Sequence, residues 1–277
     1  MNTIKMRLYL VLAVFMTSNL PVFLFAQKKD SLAILKEFIS ISSRYKQIPL
    51  YVNLEMETHS NFVTGENDTL HVQGEFYLQE KQSYVRFGEF EQVVNDSMAL
   101  LVSNKLKQMI LYINASPVLE KMKSILGAPL PDSSIKNLGA KYKATASPLS
   151  KGTGLILLES RMPLYGTSLP KETIELQYDS KEKQPRQVLT TKRNLVLLDS
   201  VQYYSFKTQE EFEGKLLLLE NSYFLIKELV TKFTYNKIEQ TAVATIPVTI
   251  HDRIMKNGEG NFIPVVKFEH YMLSQEQ

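Results

Sequence analysis

Residues 69–90, TLHVQGEFYLQEKQSYVRFGEF, alternate between apolar and polar positions, with Leu70, Val72, Gly74, Phe76 and Leu78 on one side. A period of two marks strands half buried against a core, because successive side chains leave opposite faces. One position stands out: Arg86 sits between Val85 and Phe87 and shares its side with Tyr84, Gly88 and Phe90. Parity alone leaves open which side of that strand is covered. Arg86 accordingly has two readings, an edge cation snorkelling into water or a buried, hydrogen-bonded group.

The same alternation precedes this stretch. In PLYVNLEMETHS (49–60), Leu50, Val52, Leu54 and Met56 face one way and Tyr51, Asn53, Glu55 and Glu57 the other. The link TGEND (64–68) has the Gly and Asn/Asp chemistry of a hairpin turn. QSYVRFGEF, QVVNDSMALLV and KQMILYI continue the series with short polar breaks, EKQ and SNKL. Five consecutive strands with short connections predict an antiparallel meander.

Two helices accompany it. Over 30–46, Ile34, Phe38, Ile41 and Tyr45 fall on one stripe, widened by Leu35 and Ile39, with Asp30 as N-cap. The second opens at Ser116 with Pro117 in the first turn, carries Val118, Leu119, Met122, Ile125 and Leu126 on one face, and stops at Gly127. PLPDSS then reads as a loop. Strand-like runs resume at AKYKATAS, GLILLES, ETIELQYD, PRQVLTTK, LVLLDSVQYYSF, KLLLLENS, YFLIKELVTKFTYN, TAVATIPVTI and NFIPVVKFEHYML. The charged stretch TQEEFEG (208–214) reads as a solvated loop or a short helical turn.

The N-terminal segment MNTIKMRLYLVLAVFMTSNLPVFLFA has Lys5 and Arg7, an apolar run, a break at Asn19 and Pro21, and a small residue, Ala26. That is the order of a secretory signal peptide over 1–26, with the mature chain starting at Gln27. An uncleaved anchor is the rival reading, since Leu8 to Ala26 nearly spans a bilayer. The remaining 251 residues are expected to be a single β domain, 27–277, with 208–277 as an extension whose role the sequence leaves open.

Composition closes several classes. There is no cysteine, hence no disulfide, no thiolate metal site and no lipid-modified cysteine. Removing Lys5 and Arg7 leaves 30 basic against 29 acidic side chains, so the basic excess that nucleic-acid binding needs is missing. Sparse Gly and Pro, 11 each, with 10% aromatics, speak against disorder.

Catalytic and metal signatures are also missing from the sequence. His59, His71, His251 and His270 are scattered, no HExxH occurs, and His71 alternates outward. His251 and Asp252 would point to opposite faces of a strand. No G-x-S-x-G elbow, GxGxxG or P-loop is present. Glu55 and Glu57 share a face, which on an exposed strand usually means solvation. The expectation is a non-enzymatic protein with no cofactor and no metal.

Export signal, amphipathic helix, alternating strand and then GEFYLQEKQSYVRFGEFEQVVNDSMALLVSNKLKQMILYI resemble the periplasmic outer-membrane lipoprotein carrier protein family, over roughly residues 28–206. The likeness rests on Gly74, Phe76, Arg86 followed by Phe87, Asp96 and Tyr112, and on the capped helix from Ser116. The chain departs from the family pattern in the turn EKQ, which lacks Pro-Gly, in Ser97 where Gly is common, and in having no Trp.

The resemblance implies a mainly β fold with some α: a curved antiparallel sheet, an incomplete β-barrel, covered by helices. It further implies an apolar cavity between sheet and helices that holds acyl chains, with Arg86 matching a strand arginine that helps govern opening and closing. The physical reading agrees in class, because acyl binding needs a deep apolar surface with few directional contacts. Leu54, Met56, Val72, Phe76, Leu78 and Phe87 would form one wall, and Ile34, Phe38, Leu119 and Met122 the lid. For each of these, plain core packing is the competing role.

The expected function is binding and transfer of a lipid or lipid-modified protein in the periplasm of a double-membraned bacterium. Its partners would be acyl chains and membrane proteins of the envelope. The alternative is an exported β-rich protein-interaction module with no lipid ligand. An open or a filled space between sheet and helices discriminates the two.

Overall fold

The structure, a computed structural model, describes residues 30–43, 48–118, 132–240 and 246–276, and Ser31–Gln277 form one compact unit. The first helix, α1 (Ser31–Ser43), follows its stripe: Ile34, Leu35 and Ile41 are buried. So short a helix is marginal in water by itself, and that buried stripe is what holds it.

Strands β1 (Leu50–Ser60), β2 (Leu70–Leu78), β3 (Ser83–Phe87), β4 (Phe90–Val94), β5 (Ala99–Ser103) and β6 (Gln108–Tyr112) form the antiparallel meander. There are six strands where five runs were expected. Gly88, at φ 57° in the left-handed region, turns QSYVRFGEF back on itself so that Phe87 pairs with Phe90. In QVVNDSMALLV the turn is made by Asn95, whose Oδ1 accepts the N–H groups of Ser97 (2.9 Å) and Met98 (2.7 Å).

The helix expected from Ser116 is described only at 116–118. Its Leu119, Met122, Ile125 and Leu126 lie outside the described residues. A helix not anticipated, α2 (Asp132–Lys141), begins inside PLPDSS. It leads into β7 (Tyr142–Ser150), β8 (Thr153–Ser160), β9 (Glu172–Asp179) and the long β10 (Pro185–Leu198), again antiparallel neighbours.

LVLLDSVQYYSF, read as a strand, is the end of β10 followed by helix α3 (Ser200–Lys207). Asp199 and Gln202 make a capping box: the Asp199 carboxylate accepts the Gln202 N–H (2.7 Å) and the Gln202 amide oxygen accepts the Asp199 N–H (3.2 Å). Two orphan N–H groups are satisfied there, which overrides the strand-like composition. TQEEFEG holds a 3-10 turn, Glu210–Phe212, with Phe212 buried.

The region after residue 208 is not peripheral. Beyond the short β11 (Leu216–Leu219), β12 (Ser222–Glu239) enters the middle of the sheet, pairing with β1 on one side and β10 on the other. Its register with β10 runs unbroken from Leu198↔Tyr223 to Gln187↔Thr234. After β12, TAVATIPVTI forms no strand at 246–250, and Ile250–Asp252 is a 3-10 turn. NFIPVVKFEHYML divides into β14 (Phe262–Pro264), which pairs with β13 (Ile254–Lys256), and β15 (Met272–Glu276), which adds parallel to β6.

The sheet order is β15-β6-β5-β4-β3-β2-β1-β12-β10-β9-β8-β7, and its outermost strands, β15 and β7, do not pair with each other. The fold is mainly β, a large curved and unclosed antiparallel sheet of the half-barrel kind, with helices on it.

Candidate functional site

Directly paired residues of an antiparallel ladder share a face, so the register assigns every side chain. One row runs Val72, Met56, Phe233, Val188, Leu176, Ile156 from β2 to β8. A parallel row runs Phe87, Gly74, Leu54, Tyr235. Both belong to the face that carries the helices.

Among the described residues, helices cover part of that face. α1 places Ile34, Leu35 and Ile41 over Tyr142, Ala144, Ile156, Leu158 and Leu176, with Phe38 and Leu138 at the margin. Over β1–β3 and the end of β12 a different cluster forms. Leu50, Val52, Leu54 and Leu78 are buried, while Phe76, Val85, Phe87, Phe233, Tyr235 and Ile238 are only half-buried. The rings of Phe76 and Phe87 stand 6.4 Å apart and close over Gly74, where an added Cβ would come within 2.9 Å of both. Glycine is required at that rung by the two rings rather than by backbone conformation.

The sequence candidates thus fall on one face but in two places. Leu54 and Leu78 are buried and Met56, Val72, Phe76 and Phe87 half-buried in the β1–β3 region, whereas Ile34 and Phe38 sit over β7–β9. Leu119 and Met122 lie outside the described residues.

Arg86 is on the opposite face. It pairs with Glu75 and Glu91, is solvent-exposed, and lies two residues from Tyr84, which is buried. What buries Tyr84 is the C-terminal segment: Ile246, Ile250, Ile254, Phe268 and Tyr271 close over Tyr84, Val93, Leu100, Val102, Met109 and Leu111. The parity ambiguity of β3 therefore has a physical resolution. Both faces of β2–β6 are apolar, each over a different part of its length.

The C-terminal cover is fastened by a polar network. Arg253 donates to Glu91 Oε2 from Nε (3.2 Å) and Nη2 (2.8 Å), and Asn104 Nδ2 donates to Glu91 Oε1 (2.8 Å). The Tyr271 hydroxyl donates to Asn104 Oδ1 (2.7 Å). Glu91 and Arg253 are 8% and 12% exposed, so each charge depends on the other. Nothing local in the sequence marks this pair, since its members are 162 residues apart. Nearby, burial and then the Tyr51 hydroxyl push Tyr77 up to about 12, and burial likewise raises Tyr84.

His71 points outward as expected, yet cross-strand pairing sets its Nε2 2.9 Å from Glu55 and its Nδ1 3.7 Å from Glu57. Lys232 already holds Glu57 at 2.8 Å, and all four side chains meet solvent. The hydrogen bond from Lys232, with its charge, keeps the Glu57 carboxyl below the usual range. This is a solvated ion cluster on the sheet surface.

No protein-family model and no curated protein matches the chain. Three solved structures are similar over most of their own length. A LolA superfamily protein of Nitrosomonas europaea shares 9% identity, covering 77% of this chain and 94% of that one, with a TM-score of 0.25. An outer membrane lipoprotein-sorting protein domain of Vibrio parahaemolyticus shares 10%, covering 76% and 93%, also at 0.25. A DUF1329 family protein of Desulfovibrio piger shares 11%, covering 78% and 95%, at 0.24. The chain is thus distantly similar to solved LolA superfamily and lipoprotein-sorting structures.

Proposed function

We propose that this chain binds and passes on an acyl-bearing molecule, a lipid or a lipid-modified protein, on the helix-bearing face of its sheet. The observation that carries this reading is the band of half-buried Phe76, Val85, Phe87, Phe233, Tyr235 and Ile238, on a face where the described helical residues pack over other strands. Each methylene of an acyl chain that such a band takes from water contributes about 0.8 kcal/mol, with no need for directional contacts. Transfer needs affinity that a competing apolar surface can match, and a shallow band meets that requirement better than a closed pocket. No catalytic group is needed. The export signal read from residues 1–26 supports an exported site of action, and the proposal takes this to be the periplasm of a double-membraned bacterium, with membrane proteins of the envelope as donor and acceptor.

The test is native mass spectrometry of the mature protein from an exporting host, followed by solvent extraction and uptake of a fluorescent fatty acid. A co-purifying lipid or acylated protein, lost in a folded Phe76→Asp variant, is the expected result. A clean apo mass with no fatty-acid uptake would sink this reading and leave a protein-interaction module.

A further inference from the structure

The helix-bearing face ends in a cavity unlike the apolar band. It measures about 710 Å³ and lies beside the end of α2, where β8 finishes. Lys141, Arg161, Lys171, Lys192 and Arg193 line it, against a single carboxylate, Glu172. The register puts Glu172 and Lys192 on the same face, directly paired.

The backbone holds these cations together. The Arg161 N–H donates to the Lys141 carbonyl and the Arg193 N–H to the Lys171 carbonyl, both at 2.9 Å, and the Lys171 N–H donates to the Met162 carbonyl at 3.1 Å. Gathering like charges this way costs free energy that a solvated surface avoids by spreading them.

Internal partners satisfy only part of the set. Lys141 Nζ donates to Glu172 Oε2 (3.0 Å), which also accepts the Tyr142 hydroxyl (2.6 Å). Arg193 donates to Glu228 (2.7 Å) and to the Pro170 carbonyl (3.0 Å). Arg161 uses its Nε on the Gly139 carbonyl (2.9 Å), which removes an exposed helix-end acceptor and leaves its two terminal amino groups available. Among the described residues, the ammonium groups of Lys171 and Lys192 have no hydrogen bond or ion pair.

We propose that this cavity binds a phosphate group, carried by a soluble ester or by a lipid headgroup, with Arg161, Lys171 and Lys192 as its ligands. A guanidinium fork beside two ammonium groups matches an anion with several oxygens. The volume exceeds what a bare phosphate fills, so the phosphate carries an organic group. The site stands apart from acyl binding: either can exist without the other.

The test uses the mature protein and a Lys171→Gln/Lys192→Gln double variant, whose side chains are exposed and whose fold is checked by circular dichroism. Calorimetry with sn-glycerol 3-phosphate and flotation with phosphatidylcholine vesicles, with and without phosphatidylglycerol, are the probes. Binding of either phosphate source, at least about tenfold weaker in the variant and weakened by salt, is expected. Capture by the anionic vesicles alone identifies a headgroup, and binding of the soluble ester identifies a soluble ligand. If wild type binds neither, or the variant binds equally well, the proposal is overturned. Fatty-acid uptake measured on the same two proteins reports separately on the apolar band.

Discussion

The two ends of this sheet are covered from opposite sides. Toward β7 the cover is helical and lies on one face, with Ile156, Leu158 and Leu176 beneath it. Toward β6 the cover is the irregular C-terminal segment on the other face, with Leu100, Val102 and Leu111 beneath it. The main cover thus changes face along the sheet, and Ala115 and Val118 add a smaller cluster with Val94 and Ala99 on the helix-bearing face. Between them, Phe76, Val85 and Phe87 are only half-buried beside the buried Leu50, Val52, Leu54 and Leu78.

The largest effect that would break this contrast is expected at the C-terminal fastening. Arg253→Met leaves Glu91 buried and unpaired and should cost about 3–5 kcal/mol, read by urea unfolding. The double variant Arg253→Met/Glu91→Leu should recover much of it. A loss under about 1 kcal/mol would mean that the cover is held by apolar contacts alone.

Next come the two cores. Leu111→Ala and Leu158→Ala, both at 0% exposure, should each cost about 2–5 kcal/mol. Combined, they should add to within about 0.5 kcal/mol, because the covers do not touch a common cluster. Strong coupling between them would show one cooperative core.

Phe87→Ala, between the two ends, should cost only about 1 kcal/mol while lowering fatty-acid uptake, because a half-buried ring loses part of its burial. Uptake unchanged by that truncation would break the contrast between the buried clusters at the ends and the half-buried rings in the middle.

A smaller effect concerns the β1–β2 loop. The Lys227 ammonium, then the N–H of Thr64, hold the Asp68 carboxyl far below its ordinary 3.8. A depressed folded value stabilises above pH 3.8 and is lost as pH falls through and below it. Asp68→Asn should lower stability at neutral pH, where this contribution is fully present, and flatten the acid limb of the stability curve below about pH 4. Arg86→Gln, exposed and away from the band, should shift stability by less than about 0.5 kcal/mol.

The parts of the fold that were legible are those with a local signature. Alternation located β1 and β2, and the stripe Ile34, Phe38, Ile41 located α1. What stayed hidden depends on distant partners or on a few polar atoms. Asp199 and Gln202 convert a strand-like run into α3 through two hydrogen bonds. Arg253 meets Glu91 only in the folded chain, and the basic residues around Glu172 come from four separate segments. In the β1–β3 region the apolar residues were readable as a face. Which of them are buried and which half-buried was not, because that follows from packing between distant segments.

The placement of β12 has a consequence for how the chain reaches this state. Glu57 meets Lys232 across 175 residues of chain, and β12 also joins β10. During synthesis, β1–β6 and β7–β10 emerge first as two separate sheets, each with an unpaired edge where β12 belongs. They become one sheet only when the last strand of length arrives, after a costly loop closure. Pairing of such high sequence separation folds slowly, and the two waiting edges are the surfaces that a holding chaperone would have to protect.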